Sequence, residues 1–229
     1  MYALDGEKSR PTLDINFLGL RLPNNPDHFR NIFMEICQIR YEPDGVIFLP
    51  EALSVTELGK DRRYSGIRIG FEGRLGNIRQ KMQVDIGFGD VITPKPVQMD
   101  YPTLLSMDAP CITAYSVETI IAEKFEAMID LADSNSRMKD FYDVHRLLLS
   151  QNFTPGILKK AVINTFRQRG TAYIENHPIF HSGFGTEAKR ALQWRSFLKK
   201  TNLDQTVELA DVLLQIEKHL RPVYESMRV

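Results

Sequence analysis

Apolar and polar residues alternate loosely over residues 12–20, a period-two pattern that predicts a strand. The period then changes. From Pro26 to Ile39 the apolar residues fall at 29, 32, 33, 36 and 37, the spacing of one helical face, with Asn25 placed to cap and a proline at the first helical position. Strand patterning returns at Val46–Leu49, Ile67–Leu75 and Met82–Phe88, the last two joined by the turn signal Gly76-Asn77. Residues 89–115 carry Pro94, Pro96, Pro102 and Pro110 and predict an irregular connection over the surface. Beyond them the pattern is helical. Ser116 can cap a helix whose apolar stripe is Val117, Ile120, Ile121, Phe125, Met128 and Ile129. Further helices are expected near 137–149, 155–169, 185–200 and 205–226. The expected fold class is therefore α/β (α+β), with an α/β core over 1–115 followed by a helical domain over 116–229. No internal repeat interrupts this order.

Composition changes the picture little. With 229 residues, 43% of them hydrophobic and 25% charged, the chain can bury a sound core. Cys37 and Cys111 are too few for a disulfide framework and read as reduced, buried thiols of a cytoplasmic protein. There is no signal-peptide pattern and no apolar run of transmembrane length, so no membrane partner is expected. Charge is more informative. The net charge of zero divides into 14 Lys/Arg against 20 Asp/Glu over residues 1–136, and 15 against 9 over 137–229. Residues 154–200 hold nine basic side chains opposed only by Glu175 and Glu187. An acidic half followed by a basic half suits metal chemistry beside a polyanion-binding surface. Basic residues that merely solvate helix faces explain the second half equally well.

Four places carry candidate chemistry. On a strand, Asp14 and Asn16 share one face, and two oxygen donors side by side begin a magnesium site. Asp85, in Gln83-Val84-Asp85-Ile86-Gly87, can complete that site if its strand is a neighbour. Lys124 borders the apolar stripe of its helix, where an ammonium needs a partner or must snorkel, and a lysine can neutralise phosphate charge. Asp140 and Asp143 share a helix face and can hold Lys124 in place; Lys139 and Asp143 could instead form an ordinary surface pair. His177 and His181 are four apart, but Pro178 makes a helical metal pair unfavourable, and both read as loop residues. Walker A, GxGxxG, GxSxG and HExxH patterns are all absent.

In this order the motifs resemble the AbiEii/AbiGii-type nucleotidyltransferase toxins of abortive-infection and toxin–antitoxin systems. The resemblance rests on Arg10-x-Thr12-x-Asp14-x-Asn16-Phe17, Gln83-Val84-Asp85-Ile86, Ala122-Glu123-Lys124-Phe125-Glu126-Ala127 and Arg137-x-Lys139-Asp140-x-Tyr142-Asp143. It implies a polymerase-β-like core followed by helices, a nucleoside triphosphate substrate used with Mg2+, and an RNA acceptor, transfer RNA for some members. An antitoxin or cognate regulator is the implied protein partner. Carried over by position, Asp14, Asn16 and Asp85 would hold the metal. Asp14, Asp85, Lys124 and Asp140 would be the catalytic set, and Lys124, Lys139 and Asp143 would serve the nucleotide.

Two departures qualify the expectation. The first block of the family usually ends Asp-x-Asp, whereas Asn16 is neutral here. The family also has a glycine pair a dozen or more residues before the first aspartate, and here only thirteen residues precede Asp14, so the chain reads as N-terminally truncated. Weakened transfer is the expected consequence. The rival reading is a catalytically impaired homologue that binds nucleotide, RNA or protein; a general metal nuclease is more distant.

Overall fold

The computed structural model describes residues 1–6, 9–12, 14–59, 65–150 and 152–228, Asp14 by its backbone only. Its elements are α1 (Tyr2–Asp5), β1 (Asp14–Gly19), α2 (Pro26–Gln38), β2 (Ile47–Leu58), β3 (Gly66–Leu75), β4 (Ile78–Phe88), β5 (Val97–Asp100), β6 (Cys111–Ala114), α3 (Val117–Leu131), α4 (Met138–Ser150), α5 (Pro155–Arg169), α6 (Ala188–Lys200) and α7 (Leu209–Glu225). They divide into two compact units, Thr12–Asp90 and Met1–Pro11 with Val91–Val229. The class is mixed α/β, as the sequence indicates.

The first unit is a four-stranded mixed sheet ordered β1-β4-β3-β2 with one helix. β1 runs parallel to β4, while β3 runs antiparallel to both its neighbours, β4 and β2. The parallel pair arises because α2, β2 and β3 intervene in sequence between its members, a crossover rather than a hairpin. The Asn25 side chain accepts from the amides of Asp27 and His28, so α2 starts where the capping signal indicates. Phe29 and Phe33 of α2 bury against Ile67, Ile69, Val84 and Ile86, which fixes one sheet face as the core. Val84 and Ile86 are 2% and 4% exposed, so Asp85 between them must lie on the opposite face.

β2 is longer than its apolar signal suggests. It continues past Pro50 to Leu58 by a register shift between Leu49 and Ser54, an irregularity that accommodates the proline without ending the strand.

The second unit is helical. Ser116 caps α3 by accepting from the Thr119 amide. Phe125 of α3, Phe141 of α4, Trp194 of α6 and Tyr224 of α7 are fully buried in one core. The Trp194 indole N–H donates to the Val207 carbonyl at 2.7 Å, so its one polar group is satisfied. The connection over 89–115 is not wholly irregular: β5 and β6 form a two-stranded antiparallel ribbon. Its strands are four residues each and bounded by Pro96, Pro102 and Pro110, too short to rise above the proline signal. Thr93 anchors the start of this connection to α3, its amide donating to Thr119 Oγ1 at 3.0 Å and its carbonyl accepting from it at 2.8 Å.

His177 is not a metal ligand here but a buried structural residue. Its Nδ1 accepts from the Ile179 amide and its Nε2 lies 3.0 Å from the Ile129 carbonyl, so Nε2 carries the proton. Burial lowers its pKa from the ordinary 6.5. His145 is lowered too, by burial and then by Arg146. The fold thus favours neutral imidazoles, and their contribution is complete above the unfolded pKa and lost as pH falls below it. Thermal melts should be flat above about pH 7 and decline below about pH 6.5. Replacing His177 with Gln should flatten that decline; an unchanged slope would show that His177 plays no part in it.

Candidate functional site

The expected site residues fall into two clusters, one in each unit. In the sheet, the parallel register sets Asn16 opposite Asp85 and Asp14 opposite Gln83. On the other side of Asp85 its antiparallel partner is Arg68. Positions 16, 85 and 68 thus form one row across three strands, on the face away from α2, and position 14 is one step along it. The Asp14 side chain lies outside the described residues.

Arg68 belongs to none of the sequence motifs. Its Nε and Nη2 donate to Asp85 Oδ1 and Oδ2, both at 2.8 Å, a bidentate pair. The Gln83 amide adds long contacts of 3.4 and 3.5 Å to the same two oxygens. The alternation of β3 was the available signal, because 66, 68 and 70 share the face opposite Ile67 and Ile69.

Asn16 and Asp85 carry oxygen donors, the kind a hard divalent cation takes. No group of three His, Cys, Asp or Glu is gathered for a metal among the described residues. The donor types and register fit magnesium, with a neutral amide in place of one charge and Arg68 on the one described carboxylate.

The second cluster joins α3 and α4. Lys124 Nζ lies 2.8 Å from both Asp140 Oδ1 and Asp143 Oδ2. Spacing of three along α4 puts both carboxylates on one face, and they are 1% and 0% exposed. The Asn135 side chain accepts from the Arg137 amide at 2.8 Å, shaping the turn into α4. Arg137 Nε is 2.6 Å from Asp140 Oδ2. Arg10 donates to both Asp143 oxygens at 3.0 and 2.9 Å. One turn further along α4, Arg146 forks onto Asp5 with two 2.8 Å bonds.

Three side-chain cations, Lys124, Arg10 and Arg137, therefore face two buried carboxylates. Lys124 is 19% exposed, and its third N–H has no protein partner among the described residues. The lysine is held by two carboxylates rather than snorkelling. Lys139 is exposed and outside this cluster, so a pair between it and Asp143 does not form. Arg10 belongs to a motif quoted from the sequence, but its partner, 133 residues away, could not be read from spacing.

The basic stretch 154–200 is sorted by burial. Lys159, Lys160, Arg167, Lys189, Arg195, Lys199 and Lys200 are exposed. The other two turn inward. Arg169 pairs with buried Glu126 at 2.7 Å, and Arg190 stacks over Phe184 at 3.6 Å while donating to its carbonyl. No helix among the described residues is long and apolar enough to cross a membrane.

The chain is similar in fold to two solved structures. One is the crystal structure of JHP933 from Helicobacter pylori, with TM-score 0.51 and 14% identity over 99% of this chain and 81% of that one. The other is a protein provisionally described as a nucleotidyltransferase from H. pylori, with TM-score 0.50 and 14% identity over 99% and 84%. A comparison with curated proteins finds no match. The sequence itself matches, over residues 1–215, the family described as nucleotidyl transferase AbiEii toxin of the type IV toxin–antitoxin systems, and the chain belongs to that family.

Proposed function

We propose that this protein is a metal-dependent nucleotidyltransferase that moves a nucleoside monophosphate from a nucleoside triphosphate onto an RNA acceptor, and that Asn16 weakens it. The observation that carries the reading is the β1–β4 register, with Asn16 opposite Asp85 and position 14 one step away. Asp14, Asn16 and Asp85 would hold Mg2+, which when bound supplies positive charge to the phosphate oxygens. In the reaction, an acceptor hydroxyl gives up its proton to a base, Asp85 or water, its oxygen bonds to the α-phosphorus, the bond from that phosphorus to the bridging oxygen breaks, and pyrophosphate leaves. Asp85 is placed in the catalytic set as metal ligand or base. Lys124 offers its remaining N–H to a phosphate oxygen, and Asp140 and Asp143 fix its ammonium so that no reorganisation is needed when charge develops. Lys139, exposed at the start of α4, would contact nucleotide only peripherally. The exposed lysines and arginines of α5 and α6 suit the RNA backbone, with transfer RNA one candidate. An antitoxin or cognate regulator would control the activity, as expected of a type IV toxin, and the cytoplasm is the setting for all these partners.

Restoring the missing charge tests this. Asn16→Asp adds a carboxylate beside the metal donors, and incorporation of labelled nucleoside triphosphate into total bacterial RNA should rise by about tenfold. Lys124→Ala in the Asn16→Asp background should remove the gain. If Asn16→Asp is correctly folded yet silent with all four nucleotides, the reading shifts to a homologue that binds nucleotide or RNA without transfer.

A further inference from the structure

We infer that Arg68 is an exchangeable counter-ion for Asp85: it occupies the carboxylate until a metal–triphosphate complex arrives, then moves to the phosphate and yields Asp85 to the metal. The inference rests on the metal reading proposed above and adds to it a positioning residue and a binding order.

The geometry shows the competition. Both Asp85 oxygens accept from one guanidinium at 2.8 Å. A cation approaching from the same side needs the same lone pairs and meets the Arg68 charge. Metal alone is therefore disfavoured at this carboxylate.

The surroundings show why the pair can exchange. The Arg68 and Asp85 side chains are 42% and 21% exposed, and an ion pair so open to water contributes little stability. The backbone beneath is fixed, since Ile67, Ile69, Val84 and Ile86 are all within 4% of full burial. Movement is thus confined to side chains. Next to the Arg68–Asp85 pair on the same face stands the pair Gly66–Gly87, and Gly70 follows on the other side of Arg68. The opening lies over Gly87, where a Cβ would approach nothing nearer than the Phe17 carbonyl oxygen at 4.0 Å; at Gly66 it would meet the Ile86 carbonyl oxygen at 2.8 Å and at Gly70 Ser54 Oγ at 2.7 Å. The space over Gly87 leaves room for the guanidinium to swing and for a phosphate to approach.

Phosphate is also the better partner. Guanidinium matches two phosphate oxygens in the fork geometry it uses on a carboxylate, and a triphosphate carries more charge. In the starting arrangement Arg68 neutralises Asp85. In the final one Arg68 neutralises phosphate and the metal neutralises Asp85. Metal and triphosphate then strengthen each other's binding, and the coupling is reciprocal.

Calorimetry on the whole chain tests this with two probes, Mn2+ alone and a preformed Mn2+–tripolyphosphate complex, circular dichroism first confirming that each variant is folded. Arg68→Ala should bind Mn2+ alone about three- to tenfold more tightly than the unmodified chain, and the complex more weakly by a similar factor. Arg68→Lys should fall between them for both probes. These opposed shifts distinguish exchange from structural damage, which weakens both. If Arg68→Ala binds Mn2+ no more tightly while Asp85→Asn abolishes binding, the metal site stands and the role of Arg68 is overturned. If Asp85→Asn leaves Mn2+ binding unchanged, the metal reading fails and the exchange with it.

Discussion

Asp143→Ala should lower the unfolding free energy by about 3–5 kcal/mol, the cost of breaking a buried ion pair from one side. The Asp143 side chain is 0% exposed and accepts from Arg10 while holding Lys124 at 2.8 Å. Without it, Arg10 and Lys124, only 13% and 19% exposed, keep their charges and lose a shared counter-ion. Asp140 still holds Lys124, which keeps the loss from being larger. Arg10 has no second carboxylate in the cluster, so the segment leading to β1 should loosen first. Urea unfolding measures the loss, and hydrogen exchange over residues 1–12 locates it. Replacing both members of the Arg10–Asp143 pair by apolar residues, Asp143→Leu with Arg10→Met, should recover part of the stability, because the cation that loses its only partner in the cluster is removed and Lys124 keeps Asp140. A loss below about 1 kcal/mol for Asp143→Ala would place this network with exposed ion pairs.

Lys124→Ala should reduce nucleotide transfer by about 100- to 1000-fold, the range for removing one donor prepositioned for developing charge. It leaves Arg10 on Asp143 and Arg137 on Asp140, so the carboxylates keep one cation each and the helix pair should remain folded. That separation of effects is the useful feature: Asp143→Ala acts mainly on stability, Lys124→Ala mainly on transfer. Lys124→Arg retains the charge but not the compact ammonium that fits between two oxygens 2.8 Å away, and should recover little. Transfer within threefold of the unmodified chain in Lys124→Ala would remove Lys124 from the phosphate-binding role.

Much of this arrangement was readable from local pattern. The cap at Asn25, the cap at Ser116 and the apolar stripe of α3 are signals within one turn, and each element begins where its signal stands. Lys124 at the edge of that stripe demanded a partner, and Asp140 and Asp143, three apart, could supply it; the 2.8 Å contacts follow. What escaped depends on tertiary context. β2 passes Pro50 through an irregular register with β3, which only a neighbouring strand can define. The β5–β6 ribbon is hidden among prolines. Arg68 sits in an ordinary strand alternation and becomes notable only when β4 is placed beside it. The partnership of Arg10 and Asp143 spans 133 positions and leaves no periodic trace. Basic residues counted alike in sequence separate in the structure into seven exposed and two turned inward, because Glu126 and Phe184 claim Arg169 and Arg190.

The proposed transfer of nucleotide to RNA through Asp85 and Lys124 would be read in the mass of a defined RNA recovered after incubation with the protein, magnesium and one nucleoside triphosphate at a time. The expected result is an increase by whole nucleoside monophosphate units with a preferred nucleotide, stronger with Asn16→Asp and absent with Asp85→Asn or Lys124→Ala. Shortened RNA would reveal a nuclease instead, and RNA of unchanged mass with every nucleotide, even from the folded Asn16→Asp chain, would overturn the proposed activity.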